Sequence, residues 1–391
     1  MTFDGSRYVS NAVKALPPSG IRKFFDLAAQ MENVISLGVG EPDFITPWHI
    51  IESSFYSAER GHTSYTSNLG LLELRQAISD YIEAKHGVGY DPTNEVLVTT
   101  GVSEALDLAI RTLVSPGDEV IVIEPCYVSY KACVLLAGGT PVIVDTHVDN
   151  GFRVTAEDIA SRLSDRTKAI VLSYPNNPTG AVMDCATLQR IAELAKERDL
   201  IVISDEIYSE LTYEGTHTCI AALPGMRERT VLLNGFSKAY AMTGWRIGYA
   251  CGNKHIIGGM MKIHQYTMLC APIIAQKAAI EALRYGEEAK QRMVAEYDQR
   301  RRFIVERLNA IGLTCFEPTG AFYAFPSIAA SGMTSEEFCN ELLREQSVAV
   351  VPGNAFGACG EGFVRCSYAA SLQEISEAVT RMERFLADHA R

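Results

Sequence analysis

Residues 169–208 read AIVLSYPNNPTGAVMDCATLQRIAELAKERDLIVISDEIY, with two apolar runs on either side of a longer amphipathic segment. The runs Ala169–Leu172 and Leu200–Ser204 are apolar at nearly every position, which is typical of strands covered on both faces of a sheet. Between them, Asp184–Arg198 has helical periodicity, and Asp184 is suited to cap the start of that helix. The stretch therefore predicts a strand, a crossover helix and a second, parallel strand.

The same alternation extends in both directions along the chain. Five more apolar runs predict further strands at Glu95–Thr99, Glu119–Ile123, Pro141–Val144, Val231–Leu233 and Ile247–Cys251. Helical periodicity lies between runs at Ser103–Val114, Ser129–Ala137 and Lys254–Met261. We therefore expect an α/β fold in which a large domain has a mostly parallel seven-stranded sheet flanked by helices.

A second domain is expected because the chain has 391 residues, and chains beyond about 250 residues usually split. After a charged helical pattern at 287–310 come segments that fit a smaller α+β domain: Gly320–Phe325, Ser335–Glu345, Val348–Val351, Phe363–Cys366 and a helix from Leu372. We predict three regions, namely an N-terminal arm with part of the small domain at 1–47, a large domain at 48–290 and a small C-terminal domain at 291–391.

Composition excludes several classes of protein. The net charge of −12 comes from 47 acidic and 35 basic residues spread along the chain, and no basic run indicates nucleic-acid binding. The ten cysteines include no C-x-x-C pair, so we expect reduced thiols. The N-terminus lacks a signal peptide's apolar core, and no run of about 18 uncharged apolar residues predicts a membrane span. We therefore expect a cytoplasmic protein with no membrane partner.

Polar residues follow directly after several of the predicted strands, in the segments 99–103, 124–127, 173–180, 205–208 and 234–238. In open α/β sheets, ligands bind outside the carboxyl ends of the strands. A glycine turn at a helix start can hold a phosphate through backbone N–H groups, and the other segments supply an aromatic ring, an amide, an acid and a lysine. Each alone could be a turn, a cap or a solvated charge, but their joint placement indicates a site for pyridoxal 5'-phosphate (PLP).

These residues resemble those of class I aminotransferases of PLP fold type I over essentially the full length of the chain, most closely the prokaryotic aspartate, aromatic and broad-specificity subgroup. The matching segments are Ser36–Phe44, His62–Tyr65, Thr100–Ser103, Asn176–Gly180, Ser204–Tyr208, Asn234–Ala239, Met242–Gly248, Gly320–Tyr323, Val351–Gly353 and Val364–Tyr368. The resemblance implies transfer of an α-amino group from an L-amino acid to a 2-oxo acid, with 2-oxoglutarate as the expected acceptor and ping-pong kinetics.

The resemblance also implies catalytic roles for individual residues. Lys238 would hold the cofactor as a Schiff base and, once substrate replaces it, act as the general base that moves the substrate proton. Asp205 would pair with the pyridine nitrogen and favour its protonated form. Asn177 and Tyr208 would hydrogen-bond the phenolate oxygen of the ring, although Asn177 alone could be a turn residue before Pro178.

Further implied roles concern the phosphate, the ring face and the substrate. The phosphate would be bound by Gly101, Val102, Ser103, Ser237 and Arg246. Tyr127 would stack on the ring where many relatives have tryptophan, or else pack in the core. Tyr65 would reach the phosphate from the neighbouring subunit, which implies a homodimer with shared active sites. The substrate carboxylate would be bound by Gly40, Asn177 and Arg365, and the small domain would close on the substrate.

Substrate and reaction stay open at this point. The arginine that binds a distal carboxylate in one aspartate-specific branch falls near Tyr266 by register, so aspartate, aromatic and broad specificities all remain. Plausible pocket walls, each of which is more readily explained by packing in the core, are Ile21, Tyr127, Tyr266 and the loop around Phe356. Fold type I also includes C–S lyases, aminocyclopropane-carboxylate synthases and regulatory modules that bind PLP. A Rossmann protein is disfavoured because no G-x-G-x-x-G follows the first strand, and no metal site is expected.

Overall fold

The computed structural model describes residues 3–16, 31 and 33–389. Its strands are β1 (Ile35–Ser36), β2 (Val96–Thr99), β3 (Glu119–Glu124), β4 (Thr140–Asp145), β5 (Thr167–Ser173), β6 (Ile201–Asp205), β7 (Thr230–Gly235), β8 (Gly248–Cys251), β9 (Tyr323–Ala324), β10 (Val348–Ala349), β11 (Val351–Pro352) and β12 (Val364–Ser367). The arm residues 17–20 and the candidate pocket residue Ile21 lie outside the described part of the chain.

The helices alternate with these strands in the first two thirds of the chain and dominate the last third. They are α1 (Asn11–Lys14), α2 (Trp48–Glu59), α3 (Leu72–His86), α4 (Val102–Leu113), α5 (Ser129–Leu136), α6 (Ala156–Ala160), α7 (Cys185–Glu197), α8 (Lys254–Thr267), α9 (Ile273–Tyr285), α10 (Glu287–Ala310), α11 (Ser335–Gln346) and α12 (Leu372–Asp388). Within the described residues, none of the helices is both long and apolar enough to cross a bilayer.

The central sheet has seven strands in the order β2-β8-β7-β6-β5-β3-β4. Only β8 runs antiparallel to its neighbours in this sheet, and the other adjacent pairs are parallel. The predicted α/β fold with a mostly parallel seven-stranded sheet is therefore confirmed. All seven predicted strands are present, with ends within two residues of those expected from the apolar runs.

Most strands of this sheet are buried because helices cover both faces, whereas the edge strand β4 is only partly buried. Every residue of β2, β3, β7 and β8 is buried. On one face the apolar sides of α4, α5 and α8 pack on the strands, and on the other the apolar side of α7 does so. A helix–sheet–helix sandwich of this kind leaves the carboxyl ends of the parallel strands open at one edge, where loops can build a site.

Helix starts show which local signals the sequence carries. The predicted cap at Asp184 is confirmed, since its side chain accepts a hydrogen bond from the backbone N–H of Thr187. The sequence prediction included no helix at α2, α3 or α9. These begin after Pro47, Leu71 and Pro272, none of which makes a side-chain cap bond. Without a capping residue, the usual start signal is missing.

Beyond the central sheet, the C-terminal part builds smaller sheets around its own core. β9, β11 and β12 form a three-stranded antiparallel sheet, and β1 pairs in parallel with β10. Apolar residues of α10, α11 and α12 pack with these strands in one cluster. The predicted boundary between 290 and 291 falls inside α10, close to its start, so the division into domains stays a prediction.

Candidate active site

A cavity of about 350 Å³ lies at the carboxyl ends of the central strands. From the central-sheet part of the chain it is lined by predicted site residues Val102, Ser103, Tyr127, Asn177, Asp205, Tyr208, Ser237, Lys238 and Arg246. From the N- and C-terminal parts, the predicted residues Gly40 and Arg365 reach the same cavity. Residues as far apart in sequence as Gly40 and Arg365 thus meet around one space.

Lys238 follows β7 and presents its amine to the cavity. Its Nζ donates a hydrogen bond to the carbonyl of Gly40 at 2.7 Å. Burial, helped by the nearby positive charges of Arg365 and Arg246 and opposed by Glu41, lowers the Lys238 pKa to about 8. A lysine with such a pKa is neutral in roughly a tenth of molecules at pH 7, far more than an ordinary lysine. The neutral amine is the nucleophilic form.

Asp205 is the last residue of β6 and is buried. Its Oδ1 accepts a hydrogen bond from the backbone N–H of Ile207 at 3.1 Å, and its Oδ2 lies 2.8 Å from the hydroxyl of Tyr130. Burial raises the Asp205 pKa to about 6, and the bond from Tyr130 opposes this rise. A buried carboxylate so placed can stabilise a cationic ring nitrogen.

An anion-binding turn lies at the start of α4. Gly101 precedes the helix with a φ of 80°, and a Cβ there would lie 2.5 Å from the Nη2 atom of Arg246. Glycine is favoured there because L side chains rarely adopt this backbone conformation, and a Cβ would also displace the Arg246 guanidinium. Val102 and Ser103 of the first helical turn line the cavity together with Arg246, and backbone N–H groups at a helix start beside a guanidinium suit a phosphate.

Arg365 lies in β12 and is buried. Its guanidinium donates hydrogen bonds to Asn177 Oδ1 at 2.9 Å and to the carbonyl of Gly38, and it lies over the ring of Tyr323 at 4.4 Å. Its Nε is buried and has no hydrogen-bond partner among the described residues. A buried cation with spare donor capacity that lines a cavity is suited to an anionic ligand.

Tyr208 makes a contact that the sequence prediction did not include. Its hydroxyl lies 2.7 Å from the hydroxyl of Tyr323, and both rings are buried. A Cβ at Gly40 would collide with the Tyr323 hydroxyl, so any residue larger than glycine at position 40 would force the Tyr323 side chain to move. Tyr323 lies in a segment that resembles the family, but the neighbouring sequence does not indicate what its hydroxyl contacts.

Tyr130 is a further cavity residue that the sequence prediction missed. It lines the cavity and bonds to Asp205, and its ring packs edge to face against Tyr127 with centroids 5.8 Å apart. Tyr130 lies in the first turn of α5, three residues after Tyr127, which precedes the helix. This spacing could have indicated Tyr130, but only the packing of α5 against the strand ends shows what it contacts.

Among the predicted residues, Gly101 does not itself line the cavity but directly precedes Val102, which does, whereas Tyr65 and Tyr266 lie at the surface. Tyr65 is 82% exposed and Tyr266 is 85% exposed, so in the single chain neither contacts the site. The two lie in neighbouring segments, since Asn68 donates a hydrogen bond to the carbonyl of Leu269 at 2.7 Å. Of the other candidate pocket walls, Phe356 is buried below Arg365, with its ring 4.9 Å from the guanidinium.

One cluster of potential metal ligands lies away from this cavity. Ligand atoms of Glu124, Asp145 and Cys359 lie within 4.8 Å of one another. The ammonium of Lys131 is 2.6 Å from Glu124 and already supplies a positive charge there. The cluster therefore gives no independent reason to expect a metal ion.

Known proteins match this chain over nearly its whole length. A family profile described as Aminotransferase class I and II matches residues 32–382. The Bacillus subtilis protein YugH is 56% identical over 379 residues, which cover 97% of this chain and 98% of that protein. The aspartate aminotransferase of Pyrococcus abyssi is 44% identical, with 97% and 98% covered. The solved structure of an aromatic aminotransferase from Pyrococcus horikoshii OT3 superposes with a TM-score of 0.90 at 43% identity, covering 94% of this chain and 99% of that one.

Proposed function

The chain belongs to the class I and II aminotransferase family, whose members use PLP, and we propose that it transfers the α-amino group of an L-amino acid to a 2-oxo acid, with 2-oxoglutarate as acceptor and ping-pong kinetics. The observation that carries the proposal is the convergence of Lys238, Asp205 and Arg365 on one cavity. These three side chains offer an amine, a carboxylate and a guanidinium, which are the groups that a ring aldehyde, a ring nitrogen and a substrate carboxylate require.

The cavity fits PLP at both ends. Val102 and Ser103 at the start of α4, with Ser237 and Arg246, would bind the phosphate through backbone N–H, hydroxyl and guanidinium donors. Asp205 would bind the ring nitrogen, and its charge would favour the protonated ring. Tyr127 lines the cavity where it could cover a ring face, and Tyr208 and Asn177 would donate to the ring oxygen.

Lys238 would supply both the covalent anchor and the proton transfer. Bound PLP supplies an electron sink for the pair of electrons left when the substrate Cα loses its proton. Displaced from the cofactor by the substrate amine, Lys238 would take that proton as general base, for which a pKa near neutrality is well suited. The nearby carbonyl of Gly40 holds the amine inside the cavity.

Arg365 would bind the substrate carboxylate, together with Asn177 and the backbone of Gly40. Since Arg365 and Gly40 come from the terminal parts of the chain and Lys238 from the central-sheet part, a bound substrate would draw these parts together and exclude water. The carbonyl of Gly38 and the Asn177 side chain already aim the guanidinium, so little reorganisation is needed.

For the substrate side chain we propose a range that includes aspartate and aromatic amino acids. Relatives named aspartate aminotransferase and aromatic-amino-acid aminotransferase 2 are 44% and 41% identical to this chain. Tyr266 stands where one branch has an arginine for the distal carboxylate, so an acidic side chain would need other partners. The cavity wall supplied by Tyr127, Tyr130 and Ile207 is compatible with apolar and aromatic groups.

A substrate screen tests the proposed reaction. We expect that single amino acids added to the PLP-loaded enzyme convert it to the pyridoxamine form, followed by visible absorbance, with aspartate or an aromatic amino acid among the fastest. Added 2-oxoglutarate should then yield glutamate and restore the starting spectrum. Formation of pyruvate and ammonia in place of glutamate would show a lyase and contradict the proposal.

We also propose a homodimer in which Tyr65 completes the partner's phosphate site. Large apolar or aromatic side chains are exposed at Ile45, Trp48, Phe55, Tyr56, Tyr65 and Tyr266 and would be available to a partner subunit. Tyr65 itself lies outside the cavity of its own chain.

Complementation between inactive chains tests the shared site. Tyr65→Ala and Lys238→Ala chains should each be nearly inactive as pure proteins. Unfolded and refolded together, they should form mixed dimers with one intact site, and about a quarter of wild-type activity should return. If the mixture stays as inactive as its components, the active site is not shared in this way.

A cytoplasmic location remains part of the proposal. All ten cysteines of the chain are free: seven are buried, two are partly buried and one, Cys185, is exposed. Unpaired thiols in this number suit a reducing compartment.

A further inference from the structure

Tyr130 contacts two neighbouring strand ends at once. Its buried hydroxyl lies 2.8 Å from Asp205 Oδ2 and 2.8 Å from Ser173 Oγ. Ser173 ends β5 and Asp205 ends β6, and the two are partners in the register of the sheet. The phenol therefore joins the serine and the aspartate into one chain of hydrogen bonds that ends at the carboxylate.

Which group donates in each of these two hydrogen bonds follows from the number of protons available. A phenol has one proton to donate, and a bond to a carboxylate is stronger than a bond to a neutral hydroxyl. Tyr130 therefore donates to Asp205, and the hydroxyl of Ser173 donates to the Tyr130 oxygen. Each donor polarises the next, which strengthens the final bond to the carboxylate.

We propose that Tyr130 is a positioning residue that keeps the Asp205 carboxylate ionised and aimed at the ring nitrogen of PLP, with Ser173 orienting the phenol. This inference rests on the role of Asp205 in the proposed function. Tyr130 holds Oδ2 while the backbone N–H of Ile207 holds Oδ1, so the plane of the carboxylate is fixed at both oxygens. An orienting hydrogen bond of this kind adjusts both the geometry and the basicity of the group it holds.

The charge on Asp205 depends on this contact because burial works against it. Burial raises the Asp205 pKa to about 6, and the hydrogen bond from Tyr130 is the largest opposing influence. Glu206 also raises this pKa, while Lys238 lowers it. Without the phenol the pKa of Asp205 rises further. As the pH falls, Asp205 then takes up its proton at a higher pH than in the wild type, and the ionised form that the reaction needs is lost.

Tyr130→Phe removes the donor and keeps the ring, and it supplies the test. In holoenzyme loaded with PLP labelled with ¹⁵N in the ring, the nitrogen resonance should move toward the value of the unprotonated ring, because the carboxylate becomes a better competitor for the shared proton. The acid limb of the kcat/KM profile should move up by about one pH unit, with activity recovering as the pH rises. An equal loss at every pH with an unchanged resonance would overturn the proposal.

Tyr174→Phe is the matched control. Tyr174 is also buried, and its hydroxyl donates to the carbonyl of Phe152 at 3.0 Å, away from Asp205. It should lower thermal stability in the same way as Tyr130→Phe and leave the ring-nitrogen resonance unchanged. If Tyr130→Phe does not fold, Ser173→Ala replaces it, with a smaller shift in the same direction expected and no shift overturning the inference.

Asp205→Asn separates this inference from the function on which it rests. We expect Asp205→Asn to move the ring-nitrogen resonance further than Tyr130→Phe does. A resonance that responds to Asp205→Asn but not to Tyr130→Phe would overturn only the role of Tyr130. A resonance that responds to neither would overturn the role of Asp205, and the inference with it.

Discussion

Lys238→Ala should lose the visible absorbance of the covalently bound cofactor, and turnover should fall by at least about 10²- to 10⁴-fold, the usual contribution of a general base. Removal of Lys238 takes away both the anchor and the proton carrier, and no other lysine lines the cavity among the described residues. The change leaves the phosphate-binding turn intact, so PLP should still bind without the covalent link. Absorbance spectra and single-turnover rates with an amino acid measure both effects.

Lys238→Arg is the control for charge. It keeps a cation in the cavity but cannot act as a base near neutral pH, because a guanidinium keeps its proton. It should therefore be as inactive as Lys238→Ala. Activity within tenfold of wild type in either variant would show that another residue performs the proton transfer.

Arg365→Gln should lower kcat/KM for every amino acid and 2-oxo acid by roughly 30-fold to several thousand-fold, since truncation of a buried charged partner costs about 2–5 kcal/mol. The reason is that all substrates share the α-carboxylate and differ only in their side chains. The loss should therefore be similar for aspartate and for aromatic substrates. Steady-state kinetics with at least one substrate of each kind measure it.

Two controls separate recognition from folding. Arg365→Lys keeps the positive charge but cannot bind a carboxylate with two parallel N–H donors, so it should recover only part of the kcat/KM that Arg365→Gln loses. Arg344→Gln removes an exposed arginine that does not line the cavity, so the kinetic constants should be unchanged. If Arg365→Gln lowers thermal stability while leaving KM unchanged, Arg365 serves the fold and does not bind the carboxylate.

The central sheet could be predicted because its strands carry their own signal. Buried parallel strands are apolar at nearly every position, as in β5. The helix that follows β5 could also be predicted, because Asp184 caps its first turn. The helices α2, α3 and α9 could not be predicted in this way, because they lack capping side chains and are held by packing on one another and on the sheet. Tertiary contacts, which sequence periodicity does not show, decide such helices.

Some residues of the active site could likewise be predicted from the sequence, and others could not. Asp205 and Lys238 follow apolar strands directly, so their position at the sheet edge could be inferred from the chain itself. Arg365 and Gly40 belong to distant segments, and only the resemblance to a family indicated them. Tyr130 and Tyr323 act through hydroxyl contacts of 2.8 and 2.7 Å to other side chains, and such contacts leave no pattern in a single sequence.

The most direct test of the account is to find the residue that bears the cofactor. Reduction of the PLP-loaded enzyme with borohydride makes the covalent link permanent, and proteolysis with mass spectrometry then locates it. We expect the added pyridoxyl mass on the peptide that contains Lys238 and on no other peptide. A modified lysine elsewhere, or no modified peptide in an enzyme that shows the cofactor absorbance, would contradict the assignment of Lys238.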